Sequence, residues 1–129
     1  MEKKLFTSEA VSEGHPDKVC DQIADAILDA CLEKDENARV ACEVFATDNY
    51  ILIGGEITCK TTVDYAQIAR DVLKDIGYDK PEYGTDYHNV VIDVIITINF
   101  TIAKCARFSI NVQQVTLAIE RIAIKIYDC

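Results

Sequence analysis

Proline and glycine are scarce and unevenly placed, with two prolines and five glycines and none of either beyond Gly84. The last third of the chain therefore lacks the turn punctuation of the rest. The six cysteines, at 20, 31, 42, 59, 105 and 129, include no Cys-x-x-Cys pair. That spacing argues against a zinc site, a disulfide framework or a cysteine-based redox motif, and for reduced thiols in a cytoplasmic protein. Neither an apolar signal core after Met1 nor a run long enough to span a bilayer is present. Basic side chains are outnumbered 22 to 13, for a net charge of −9. With no basic patch, the chain is expected to bind neither nucleic acid nor an anionic membrane surface. The two histidines, His15 and His88, belong to no Ser/His/Asp pattern.

What is present reads as one ordinary globular domain: 129 residues, 50% apolar and 27% charged. Residues 1–96 hold 20 acidic and 9 basic side chains, and residues 97–129 hold 2 and 4. The chain thus divides into a domain over 1–96 and a divergent strand end with a helical tail over 97–129.

Leu5–Thr7 reads as a short strand. Pro16 to Glu33 reads as a helix, with Val19, Ile23, Ala26, Ile27 and Ala30 on one face and Asp21, Asp25 and Asp29 forming a solvated ridge. Arg39–Thr47 and Tyr50–Thr58 are rich in β-formers, and the Asp48-Asn49 pair between them suits a tight hairpin. In that register Glu43 faces Gly54 and Glu56 faces Ala41. Both carboxylates then leave the same sheet face as diagonal neighbours roughly 7–8 Å apart, near enough to bracket a cation or a polar ligand; the plain alternative is the solvent face of a hairpin. Asp64 to Ile76 reads as a second helix, with Asp64 as N-cap and Gly77 as the stop. Asn89 to Ile102 reads as a strand. The order β-α-β-β-α-β predicts an α+β two-layer sandwich with two helices on one face of a mainly antiparallel sheet. After it, Val112, Val115, Ile119, Ile122 and Ile126 predict an amphipathic helix that packs on the sheet or on another chain.

Ser12-Glu-Gly-His-Pro-Asp-Lys18 sets a glycine, an imidazole and a carboxylate where the first helix begins. Pro16 at the first helical position has no N–H to orphan, Asp17 suits the positive end of the dipole, and the following N–H groups can face an anion. An ordinary capped helix start uses the same residues.

The run from Leu5 to Asp29, followed by Ala38-Arg-Val-Ala-Cys-Glu43, Gly54-Gly-Glu-Ile-Thr58 and Ile76-Gly-Tyr78, closely resembles the opening of the methionine adenosyltransferases, or S-adenosylmethionine synthetases, over about residues 5–94. The resemblance implies their fold, and transfer of the adenosyl group of ATP to L-methionine with magnesium and potassium as cofactors. It further implies His15 as the catalytic residue on the ATP triphosphate, Asp17 as a magnesium ligand with Glu9 as a weaker candidate, Glu43 at potassium, and Glu56 on the amino group of methionine. The nucleophile of that reaction is the substrate thioether, so no serine or cysteine nucleophile is required. His88 matches no functional position and is expected in a surface loop.

Where the family continues with a Gln-Ser-Pro-Asp loop, this chain reads Ile98-Asn-Phe-Thr-Ile102. The family's later glycine-rich phosphate segment, lysines and second metal-binding aspartate have no counterpart. A truncated or frameshifted family member, inactive alone and normally completed by a second subunit, is one expectation. The alternative is a non-catalytic dimerising or regulatory binding protein derived from the same domain. Both imply a homo-oligomer.

Overall fold

The computed structural model describes residues 4–98. They form an α+β unit in the order α1 (Pro16–Lys34), β1 (Arg39–Thr47), β2 (Tyr50–Thr58), α2 (Tyr65–Ile76), a single 3-10 turn (Pro81–Tyr83) and β3 (Val91–Ile98). The strands make one sheet in the order β1-β2-β3. The β1–β2 hairpin has the register set by its two-residue turn, Thr47 opposite Tyr50, Glu43 opposite Gly54 and Ala41 opposite Glu56. Asn49 takes the positive φ of 47° that closes the turn, a conformation asparagine tolerates better than most residues.

The sheet is not mainly antiparallel, because β3 runs parallel to β2. The cause is α2, which returns the chain across the layer before β3 begins, so that β2-α2-β3 is a crossover unit. Leu5–Thr7 also differs from expectation. It lies in a segment without regular structure or strand pairing, and Leu5 and Phe6 are 97% and 90% exposed. Three residues gain ladder hydrogen bonds only beside a sheet edge, and none of the described strands receives them. The two-layer layout is otherwise as the periodicities imply. The helix expected over 112–126, and the strand end past Ile98, lie outside the described residues.

Both helices cover one sheet face. Val19, Ile23, Ile27 and Cys31 of α1 and Tyr65, Ala69 and Leu73 of α2 form one core with Ile51, Ile53 and Ile57 of the central strand, edged by Val40, Cys42, Val44 and Ala46 of β1 and by Ile92 and Ile96 of β3. The spacing of Val19, Ile23 and Ile27 is the helical repeat that keeps one stripe on the sheet. Asp21, Asp25 and Asp29 stay exposed on the other side.

The ends of α2 are set locally. Asp64 accepts a hydrogen bond from the Gln67 N–H at 3.0 Å, and Gly77 leaves the helix at φ 101° with its N–H on the Leu73 and Lys74 carbonyls. Asp64→Ala is expected to destabilise the chain by about 1 kcal/mol, visible as a lower urea midpoint, with Asp64→Asn recovering most of the loss.

Asp35 joins the end of α1 to the end of β2. Burial would raise its carboxyl pKa, but hydrogen bonds from the Asn37 N–H and from Lys60, with the Lys60 charge, bring it below the ordinary aspartate value. The Lys60 N–H and Nζ lie 3.1 and 3.2 Å from its two oxygens.

Candidate functional site

The N-terminus of α1 is built as the 12–18 heptad implies. The His15 N–H donates to the Ser12 carbonyl at 3.0 Å, making a tight turn, and the His15 carbonyl accepts the Val19 N–H at 2.9 Å. His15 is itself the N-cap: Nδ1 accepts from the Asp17 N–H at 3.2 Å. An acceptor at Nδ1 places the proton of the neutral ring on Nε2, so the ring has a donor on its far side. The His15 side chain is 40% exposed and that of Asp17 85%. An imidazole donor and a carboxylate thus stand together at the positive end of a 19-residue helix, where an anion is favoured by the dipole and the free N–H groups, while a cation would rely on the Asp17 carboxylate and on the anion it accompanies.

Tyr78, which the sequence shows only as part of the Ile76-Gly-Tyr78 helix end, supports this turn. Its hydroxyl donates to the Gly14 carbonyl, and a Cβ on Gly14 would meet that hydroxyl at 3.3 Å. The position of Tyr78 follows from the Gly77 exit: the Tyr78 N–H returns to the Leu73 carbonyl at 2.9 Å, the Schellman bond that folds the residue after the cap back over its helix. That signal was readable; its target 64 residues away was not. Beside the turn is a cleft of about 310 Å³, with Pro16, Asp48, Tyr78 and Tyr83 among its walls.

Glu43 and Glu56 emerge together on the sheet face opposite the helices, as their register requires. Glu43 is exposed and Glu56 half-buried. Gly55 makes the approach of β2 to β1 possible here. At its φ of 123° a Cβ would stand 2.0 Å from the Ala41 carbonyl oxygen, so only glycine fits immediately before Glu56. Phe45 and Val91 share this face and are 50% and 42% exposed.

The candidate residues therefore fall into two groups separated by the sheet, His15 and Asp17 at the helix layer and Glu43 and Glu56 on the open face. Glu9 belongs to neither, being exposed in the irregular segment before α1. Among the described residues no three His, Cys, Asp or Glu side chains converge to hold a metal ion, and no helix is long and apolar enough to cross a membrane. His88 is 58% exposed, with Nδ1 at 2.8 Å from Asp86. The buried Asp86 also accepts from the His88 N–H and from Asn89 Nδ2. These hydrogen bonds, those from His88 foremost, keep its carboxyl below the usual aspartate range. That loop is a structural knot at the entry to β3.

Comparison with known proteins gives a consistent picture. Residues 3–99 match the family described as S-adenosylmethionine synthetase, N-terminal domain. The chain is 62% identical over 96 residues to the S-adenosylmethionine synthase of Mycoplasma capricolum subsp. capricolum, covering 74% of this chain and 25% of that protein. It is 63% identical over 92 residues to that of Mesoplasma florum, covering 71% and 24%, and 55% identical over 87 residues to that of Treponema denticola, covering 67% and 22%. The chain thus spans about a quarter of the length of these relatives.

Proposed function

From the premise that the chain belongs to the S-adenosylmethionine synthetase family by its N-terminal domain, we propose that it contributes one wall of a methionine adenosyltransferase site. In that reaction the methionine sulfur displaces the triphosphate of ATP at C5′ and the triphosphate is then hydrolysed. Catalysis then consists of aligning sulfur with C5′ and stabilising charge on the departing triphosphate. The single observation that carries the reading is the His15 turn, in which the Asp17 N–H occupies Nδ1 of the imidazole and so leaves Nε2 to be the donor of the neutral ring.

His15 donates that hydrogen to the triphosphate near the bridging oxygen. Asp17 is the protein ligand to magnesium, with Glu9 as a weaker second candidate; one exposed carboxylate fits an ion that takes one or two from protein and completes its shell with phosphate and water oxygens. Bound there, magnesium would neutralise triphosphate charge. Glu43 holds potassium and Glu56 accepts the methionine ammonium, a pairing supported by their common sheet face. Because that face is turned away from His15, a complete site requires groups from elsewhere, including a second subunit in a cytoplasmic homo-oligomer.

The exposed Phe45 beside Glu43, and the exposed Val91 across the same face on β3, favour a second reading, in which the open face only docks a copy or a full-length relative. A chimera separates the two. Residues 3–99 are placed in the Mycoplasma capricolum relative in exchange for its matching segment and assayed with ATP, methionine, magnesium and potassium. The expected result is S-adenosylmethionine from the chimera and none from the 129-residue chain alone. A folded but inactive chimera would favour the docking role, and turnover by the 129-residue chain would overturn the one-wall reading.

A further inference from the structure

Four thiols among the described residues are free, Cys20, Cys31, Cys42 and Cys59, and the reaction proposed above uses none of them. Two of them, 28 residues apart in sequence, meet in the fold. Cys31, in the last turns of α1, is fully buried. Cys59 follows β2 at the half-buried rim of the same core. Its Sγ lies 3.7 Å from the Cys31 carbonyl oxygen, and its nearness adds to burial in raising the Cys31 thiol pKa. A neighbouring clamp holds the two segments together: the Lys60 N–H and Nζ, next to Cys59, bind Asp35, whose own N–H caps the Cys31 carbonyl at 2.9 Å.

We propose that Cys31 and Cys59 form a reversible disulfide, with a small-molecule disulfide as oxidant. Cys59 reacts first because it alone of the pair reaches solvent. Its thiolate attacks one sulfur of the oxidant, the oxidant's S–S bond breaks, and one small thiolate leaves and takes up a proton. The mixed disulfide on Cys59 is then attacked by Cys31, whose proton passes to water. The Cys31–Cys59 bond forms and the second small thiol is released. Two protein thiols are oxidised, and one disulfide is reduced to two thiols. Burial pushes the Cys31 thiol pKa up, which suits it to the second, intramolecular step rather than to the first. Cys42, raised to about 11 chiefly by burial, is a bystander. The bond ties the end of α1 to the end of β2 and closes a loop over the whole β1–β2 hairpin.

The test treats the folded 129-residue chain with oxidised glutathione and maps its peptides without reduction. The expected product is a Cys31–Cys59 peptide pair lighter by two hydrogens, reversed by dithiothreitol, with a melting temperature raised by roughly 10 °C. Cys31→Ala should retain glutathione on Cys59, and Cys59→Ala should leave Cys31 unmodified. A folded wild-type chain carrying glutathione on Cys59 with Cys31 still free would overturn the proposal. So would linkage of either cysteine to a different partner in preference.

Discussion

His15→Ala in the active chimera is expected to lower turnover by about 10²–10³-fold. The leaving triphosphate gains charge as the bond to C5′ breaks, and a hydrogen bond that strengthens with that charge stabilises the transition state more than the bound substrate. kcat should therefore fall further than KM for ATP rises. Alanine also removes the N-cap of α1, at a cost of about 1 kcal/mol to folding, so the comparison needs a variant that keeps the cap. His15→Asn provides it, since its side-chain oxygen can accept the Asp17 N–H that Nδ1 now accepts, while its short amide does not reach where Nε2 stands. It should fold like the parent and still lose most of the turnover. If His15→Ala kept kcat within about twofold of the parent, far short of the expected loss, the histidine would be a cap and nothing more.

Gly55→Ala is expected to be among the most destabilising single changes in this domain, about 3 kcal/mol or more. Two effects add. The φ of 123° is one L side chains rarely adopt, and the new Cβ would meet the Ala41 carbonyl oxygen at 2.0 Å in the neighbouring strand. That oxygen belongs to backbone in the hairpin ladder, so relief requires β1 and β2 to part. Gly77→Ala is the control: its φ is 101°, but nothing lies within 4 Å of the added carbon, leaving only a local backbone cost of about 1 kcal/mol. Urea titration of both variants reads the difference. Equal midpoints would show that the strands yield and that contact with β1 is not what demands glycine at 55. Because Glu56 is the next residue, parting the strands should also weaken methionine binding in the chimera.

The sequence by itself determined the local parts of this protein. The Asp48-Asn49 turn gave both hairpin strands and their pairing, and the parity of the strands then put Glu43 and Glu56 on one face. The cap residues Asp64 and Gly77 bounded α2, and the Gly-His-Pro-Asp run started α1 with His15 at its cap. Each depends on interactions within a few residues, where φ preferences, capping and side-chain period act directly. The motif run also pointed to the family whose match extends over residues 3–99. Only the tertiary structure decided how those parts meet. Leu5–Thr7 has β-forming residues but no described edge to pair with. The alternation of β3 was visible but not its direction, which depends on where α2 delivers the chain. The hydroxyl of Tyr78 on Gly14, the Cys31 and Cys59 thiols side by side, and the sheet standing between His15 and the two glutamates all join residues far apart in sequence. No local signal encodes such contacts, because they are fixed by burying the apolar faces of two helices on one side of a three-stranded sheet, which sets every long-range distance at once.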